Sequence, residues 1–197
     1  MEKKATDPRV LRTRQLIRDA FIELLEEMDV EKISVNRIAE RATINRVTFY
    51  LHYRDIPDMM ERMADEMIEE FEAILRTPPA VPASAEADWP MLVRLLEHIA
   101  GQAKFYKLVL ASKRTPVFTD RLLKLLGQLV ADKIESGGRA ASLEKAGIQK
   151  EIAIWYGSSA LIGTIVSWLR KDIPYTPQFL AGQFTLLRKH ARQFDRL

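Results

Sequence analysis

The sequence predicts an all-α protein in two parts: a small N-terminal unit of three helices and a larger helical C-terminal domain. Three observations predict it. Apolar residues recur at helical spacing along most of the 197 residues, and no window alternates with period two for long enough to form a strand. The interruptions fall at turn formers or prolines. A chain that is 47% hydrophobic and 29% charged has the balance of a soluble globular protein, and its length suffices for a real core.

Leu16, Ile17, Ala20, Phe21, Leu24, Leu25 and Met28 mark an amphipathic helix from about Pro8 to Met28. After a turn at Asp29-Val30-Glu31, Ser34 is the expected N-cap of a short helix carrying Val35, Ile38, Ala39 and Ala42 on one side. A break at Thr43-Ile44 leads to Asn45, a second N-cap, and a helix to about Leu51. Asp55 and Pro57 suit the first turn of a long helix whose apolar side runs from Met59 to Leu75. Four prolines between Thr77 and Pro90 predict a loop. Further helices are expected at about 91–102, 104–111, 118–135, 143–170 and 177–194, with Gly137-Gly138 and Lys171–Pro177 separating the last three.

Several chemistries are disfavoured. There is no cysteine, and the three histidines (His52, His98, His190) lie far apart, so no metal and no cofactor is expected. No nucleophile–base set or glycine-rich phosphate loop stands out, and pairs such as Glu26-Glu27 and Glu69-Glu70 read as solvated faces, so an enzyme is the weakest reading. The basic N-terminus has no apolar stretch behind it, which argues against a signal peptide and for a cytoplasmic address. Ile152–Leu169 is uncharged over 18 residues, near the lower length of a membrane span. Its hydroxyl groups and two glycines instead favour a helix buried between its own domain and a second subunit, with no membrane partner.

The net charge of +3 matters less than its placement. Residues 1–18 hold Lys3, Lys4, Arg9, Arg12, Arg14 and Arg18 against two acids; 36–53 holds Arg37, Arg41 and Arg46 against Glu40. Such local patches suit a polyanion. Two short helices joined by a tight turn are unstable alone, and the long first helix can supply their core. This is a helix-turn-helix, whose second helix would enter a major groove of double-stranded DNA. Asn45, Arg46, Val47 and Thr48 are then the candidates for base contact: Arg46 for guanine, Val47 or Thr48 for a thymine methyl, Asn45 for adenine unless its cap role prevails. Tyr50, His52, Ser34 and Arg12 or Arg14 suit phosphates, and Phe49 should turn inward. A short helix pair within an ordinary α-bundle remains the plainer alternative.

The stretch "TRQLIRDAFIELLEEMDVEKISVNRIAERATINRVTFYLHYRD" resembles the DNA-binding domain of the TetR family of bacterial transcription regulators, over roughly Arg12 to Met63. Thr13-Arg14, Ile38-Ala39 and "TFYLHY" (Thr48–Tyr53) carry the likeness. Two positions depart from it: Thr43 stands where the family usually has glycine, and Ile56 where it commonly has a phosphate-binding lysine. "FYKLVLASKRTPVFTDRLL" and "ALIGTIVSWLRKDIPYTPQFLAGQF" are similar to the branch that includes the dihydroxyacetone-kinase operon activator. The resemblance implies a helix-turn-helix domain over 1–56 and an effector-binding and dimerisation domain over 57–197. Two functional readings are weighed: a homodimeric repressor released by a small molecule, and alternatively a coactivator acting through a partner protein, which Ile56 favours. Dimerisation would use the last two long helices. Trp155, Ser159, Ile162, Gly163 and Trp168 are its candidates, and Met67, Phe105, Tyr106, Phe118 and Trp155 are candidates for an effector pocket or, more plainly, core.

Overall fold

A computed structural model describes residues 7–76, 89–112, 115–136 and 140–190, and among these there are ten α-helices and no strand. The first four are α1 (Pro8–Glu27), α2 (Val35–Arg41), α3 (Arg46–His52) and α4 (Ile56–Arg76). They are followed by α5 (Pro90–Gly101), α6 (Ala103–Leu110), α7 (Pro116–Ser136), α8 (Ala140–Lys145), α9 (Lys150–Arg170) and α10 (Pro177–His190). The expected Thr77–Pro90 loop lies almost wholly outside the described residues, as do Gly137-Gly138 and Phe194.

The helix starts follow local chemistry. Asp7 accepts a hydrogen bond from the Arg9 N–H at 2.9 Å ahead of Pro8, which has no N–H to satisfy. Ser34 and Asn45 cap α2 and α3 as their sequence positions predict, at 3.4 and 2.8 Å. The ends share one device. Three helices close with the paired hydrogen bonds of a Schellman motif, in which the left-handed residue is Thr43 after α2, Gly147 after α8 and Asp172 after α9. Only Gly147 adopts that backbone (φ 70°) without steric cost. It corrects one expectation: the helix predicted over 143–170 is broken here, into α8 and α9. Thr43, at φ 54°, keeps the left-handed turn despite its branched Cβ.

One continuous apolar core runs through both halves. Ile17 and Phe21 of α1, Ile38 of α2 and Phe49 of α3 are fully buried and belong to the same cluster as Met63, Tyr106 and Ile165. α4 lies against α5 and α7, burying Met59, Met63, Met67 and Phe71 in helical register. α7 and α9 pack closely, and Gly157 permits it: a Cβ there would sit 3.1 Å from the Val130 side chain. α10 packs on α5, and α6 touches α1, α7 and α9. α9 is long and apolar enough to cross a membrane by length and composition, yet Ser158, Leu161, Ile165, Trp168 and Leu169 are buried within this fold.

Candidate nucleic-acid interface

α3 is fixed from beneath by two rings. Phe49 and Tyr53 are buried with ring centroids 5.6 Å apart, so the opposite side of the helix stands in solvent. There Val47, Tyr50 and Leu51 are 66, 46 and 77% exposed, and Arg46 is exposed beside them. Arg46 leans back on Tyr50, donating to its hydroxyl at 3.1 Å. Thr48 and His52 are half-buried on the other flank. Burial, and secondarily the Arg14 charge, holds the His52 imidazole below its ordinary pKa, so it presents a neutral ring. Asn45 spends its side-chain oxygen on the Val47 N–H, which sets the cap against a base contact from the same atom.

The turn after α3 is a charged knot. Asp58 is buried and accepts from the Arg54 N–H at 2.9 Å and from its guanidinium, while Arg62 lies 3.4 Å away. These partners, the backbone N–H first, keep its carboxyl below the usual range. Asp55 in turn accepts from the Asp58 N–H at 2.7 Å, holding the first turn of α4. Ile56 is half-buried against the core, so no cation replaces it at that position, but the Arg54 side chain two residues earlier is 83% exposed. Sequence reasoning missed Arg54 and Leu51. Leu51 was recoverable from its place one turn after Val47.

Two arginines are less available than a charge count suggests. Arg41 bonds Glu27 at 2.8 Å and Glu23 at 3.2 Å, tying α2 to α1 and lowering the Glu27 pKa. Arg14 is half-buried, and its Nε has no hydrogen-bond partner among the described residues. Arg12 and Ser34 are exposed. Of the two arm arginines, Arg12 is the exposed one.

The five candidates for an effector pocket differ in burial. Met67, Phe105, Tyr106 and Phe118 are buried core, whereas Trp155 is 63% exposed on α9. Burial raises the Tyr106 pKa, and its hydroxyl lies 2.9 Å from His98 Nε2. Of the five only Phe105 borders a cavity of about 580 Å³, a polar cleft between α1, α4 and the start of α6 that Gln15, Arg18, Glu70 and Gln102 also line. There the Arg18 guanidinium lies over the Phe105 ring, 4.5 Å from its centroid, and 3.9 Å from Glu70. Glu70 is 3.4 Å from His98, and Lys104 is 3.1 Å from Glu26.

The interface candidates also divide. Trp155, Ser159 and Gly163 share an exposed face of α9 at four-residue spacing, but Ile162 and Trp168 face inward. Trp168 donates to the Tyr175 carbonyl at 2.9 Å. The exposed face includes instead Ile152 and Tyr156, and α10 exposes Phe179, Leu186 and Leu187.

The family described as the C-terminal region of TetR-type transcriptional regulators matches residues 88–190, over half of the chain. The HTH-type transcriptional regulator YxbF of Bacillus subtilis (strain 168), itself uncharacterised, is 33% identical over 70 residues; these are 35% of this chain and 18% of that protein. The match thus spans under a fifth of that relative's length. Among solved structures, the fatty acid degradation regulator FadR of Bacillus halodurans superposes with a TM-score of 0.67 at 20% identity, over 93% of this chain and 96% of that one. The dihydroxyacetone kinase operon activator DhaS gives 0.58 at 20% identity, over 89 and 93%. At such identity these two establish the shared fold alone. By its family match and its fold, this chain belongs to the TetR family of transcriptional regulators.

Proposed function

We propose that the protein is a cytoplasmic, homodimeric repressor that binds operator DNA through α3 and is released by a small molecule. The carrying observation is the outer side of α3, where Arg46, Val47, Tyr50 and Leu51 stand in solvent over a rigid base of Phe49 and Tyr53. A helix so presented suits a major groove, and the exposed Ser34, Arg12 and Arg54 are the groups that would meet phosphates. Residues 1–56 serve as the DNA-binding unit and 57–197 as the effector and dimerisation unit.

A second copy of the chain is the occupant that best suits the exposed apolar faces of α9 and α10. Burying Ile152, Trp155, Tyr156, Phe179 and Leu187 removes large apolar surface from water, and a two-fold dimer presents two recognition helices to one DNA face. Release follows if the effector favours an arrangement in which the two recognition helices no longer match the half-sites. Ile56 at the start of α4 favours the second reading, a coactivator working through a partner protein. Fluorescence anisotropy with DNA from upstream of the gene, against scrambled DNA in a salt series, separates the two. Tight selective binding with a steep salt slope supports the regulator; weak binding equal on both DNAs overturns it.

A further inference from the structure

Successive residues of an α-helix advance by about 100°. With the buried Phe49 taken as the inward direction, Val47 points about 160° and Leu51 about 200° away, astride the outermost line of α3. Their exposures, 66 and 77%, agree. Arg46 and Tyr50 occupy one shoulder of the helix and Thr48 and His52 the other. The part of α3 that projects furthest from the domain is therefore two branched aliphatic side chains, and its hydrogen-bonding groups lie beside them.

This arrangement, taken with the DNA-binding reading on which it rests, restricts what α3 can recognise. The residues on the ridge meet the groove floor head-on, and the long Arg46 side chain approaches it from one shoulder. The floor offers hydrogen-bond donors and acceptors, and a single kind of apolar group, the 5-methyl of thymine. Val47 and Leu51 bring no donor or acceptor, so a polar base edge beneath them loses water without replacement. A methyl gains a contact. The exposed Arg46 beside the ridge favours DNA over an apolar protein groove as the occupant.

We propose that Val47 and Leu51 form an apolar ridge that reads thymine methyl groups in each half-site, which makes Leu51 a specificity-determining residue.

The test begins with selection of preferred duplexes from random DNA by the full-length protein. Each thymine of the selected site is then replaced in turn by deoxyuridine, which lacks only the methyl, and affinity is measured for the native protein, Leu51→Ala and Arg46→Ala. The native protein should lose about fourfold in affinity per contacted methyl, the transfer value of one such group. Leu51→Ala should bind the thymine site more weakly, lose its sensitivity to deoxyuridine at the same position and keep the salt slope. Arg46→Ala should retain that sensitivity. Equal affinity for thymine and deoxyuridine sites overturns the proposal, as does a full deoxyuridine penalty in Leu51→Ala. Loss of a co-purifying protein on Leu51→Ala, with DNA affinity unchanged, assigns the ridge to a protein surface and overturns it too. Failure to select any duplex defeats the DNA-binding reading itself, before any substitution is made.

Discussion

The Arg46 guanidinium donates a 3.1 Å hydrogen bond to the Tyr50 hydroxyl one turn along α3 and lies over the same ring, 5.4 Å from its centroid. In the free protein the guanidinium is therefore held against its own helix, and reaching a base edge means exchanging this contact. The contact is exposed and weak, about 0.5–1 kcal/mol, less than a bidentate guanine contact provides. Arg46→Ala should lower discrimination between the selected site and scrambled DNA by about 1–3 kcal/mol and affect non-specific binding less. Anisotropy titrations on both DNAs decide it; equal losses on the two would remove Arg46 from base reading.

Thr43 holds a left-handed backbone, φ 54°, in the turn between α2 and α3. A non-glycine residue gives up about 1–2 kcal/mol there, partly offset because glycine is freer in the unfolded chain. Thr43→Gly should raise stability by about 0.5–1 kcal/mol in urea unfolding. DNA affinity should stay the same, because the Schellman hydrogen bonds from Thr43 to Glu40 and from Ile44 to Ala39 involve only the backbone.

Burial, and then the Arg14 charge, disfavour the imidazolium and hold His52 below its ordinary pKa of about 6.5. The unfolded chain consequently takes up this proton first as pH falls below 6.5, and stability contributed by the neutral ring is lost on the way down to the folded-state value. Unfolding midpoints measured between neutral pH and the acid side of 6.5 should show that decline, and His52→Gln should flatten it. An identical decline in the variant would assign it to other groups.

Ser159 sits between Trp155 and Gly163 on the exposed face of α9. A cation placed there would be desolvated by a second copy without a partner. Ser159→Arg should shift the mass seen by sedimentation from two chains to one and weaken operator binding in parallel. A dimer of unchanged stability would place the subunit contact elsewhere.

Phe49 and Tyr53 against Arg46 and Val47 is a clean amphipathic contrast, so the inward side of α3 was legible in the sequence. On α9 apolar residues occur nearly all round, and periodicity cannot tell the buried Ile162 and Trp168 from the exposed Trp155. Arg41 looked like part of a basic patch because its partners, Glu23 and Glu27, lie 18 and 14 residues away. The break at Gly147 depended on a left-handed residue, which a sequence allows at any glycine but does not require.

α1 is held to its neighbours by ion pairs, Arg18–Glu70 to α4 and Glu26–Lys104 to α6, and dissolved salt screens the exposed Glu26–Lys104 pair most. In the DNA-binding reading, raising ionic strength thus acts twice: it dilutes the advantage of displacing counterions from phosphates, and it weakens the ion pairs that hold α1 to α4 and α6. A slope measured on the native protein counts phosphates plus these ion pairs together. The difference in slope between the native protein and one with Lys104 and Glu26 both made neutral is the share that belongs to posture rather than to DNA.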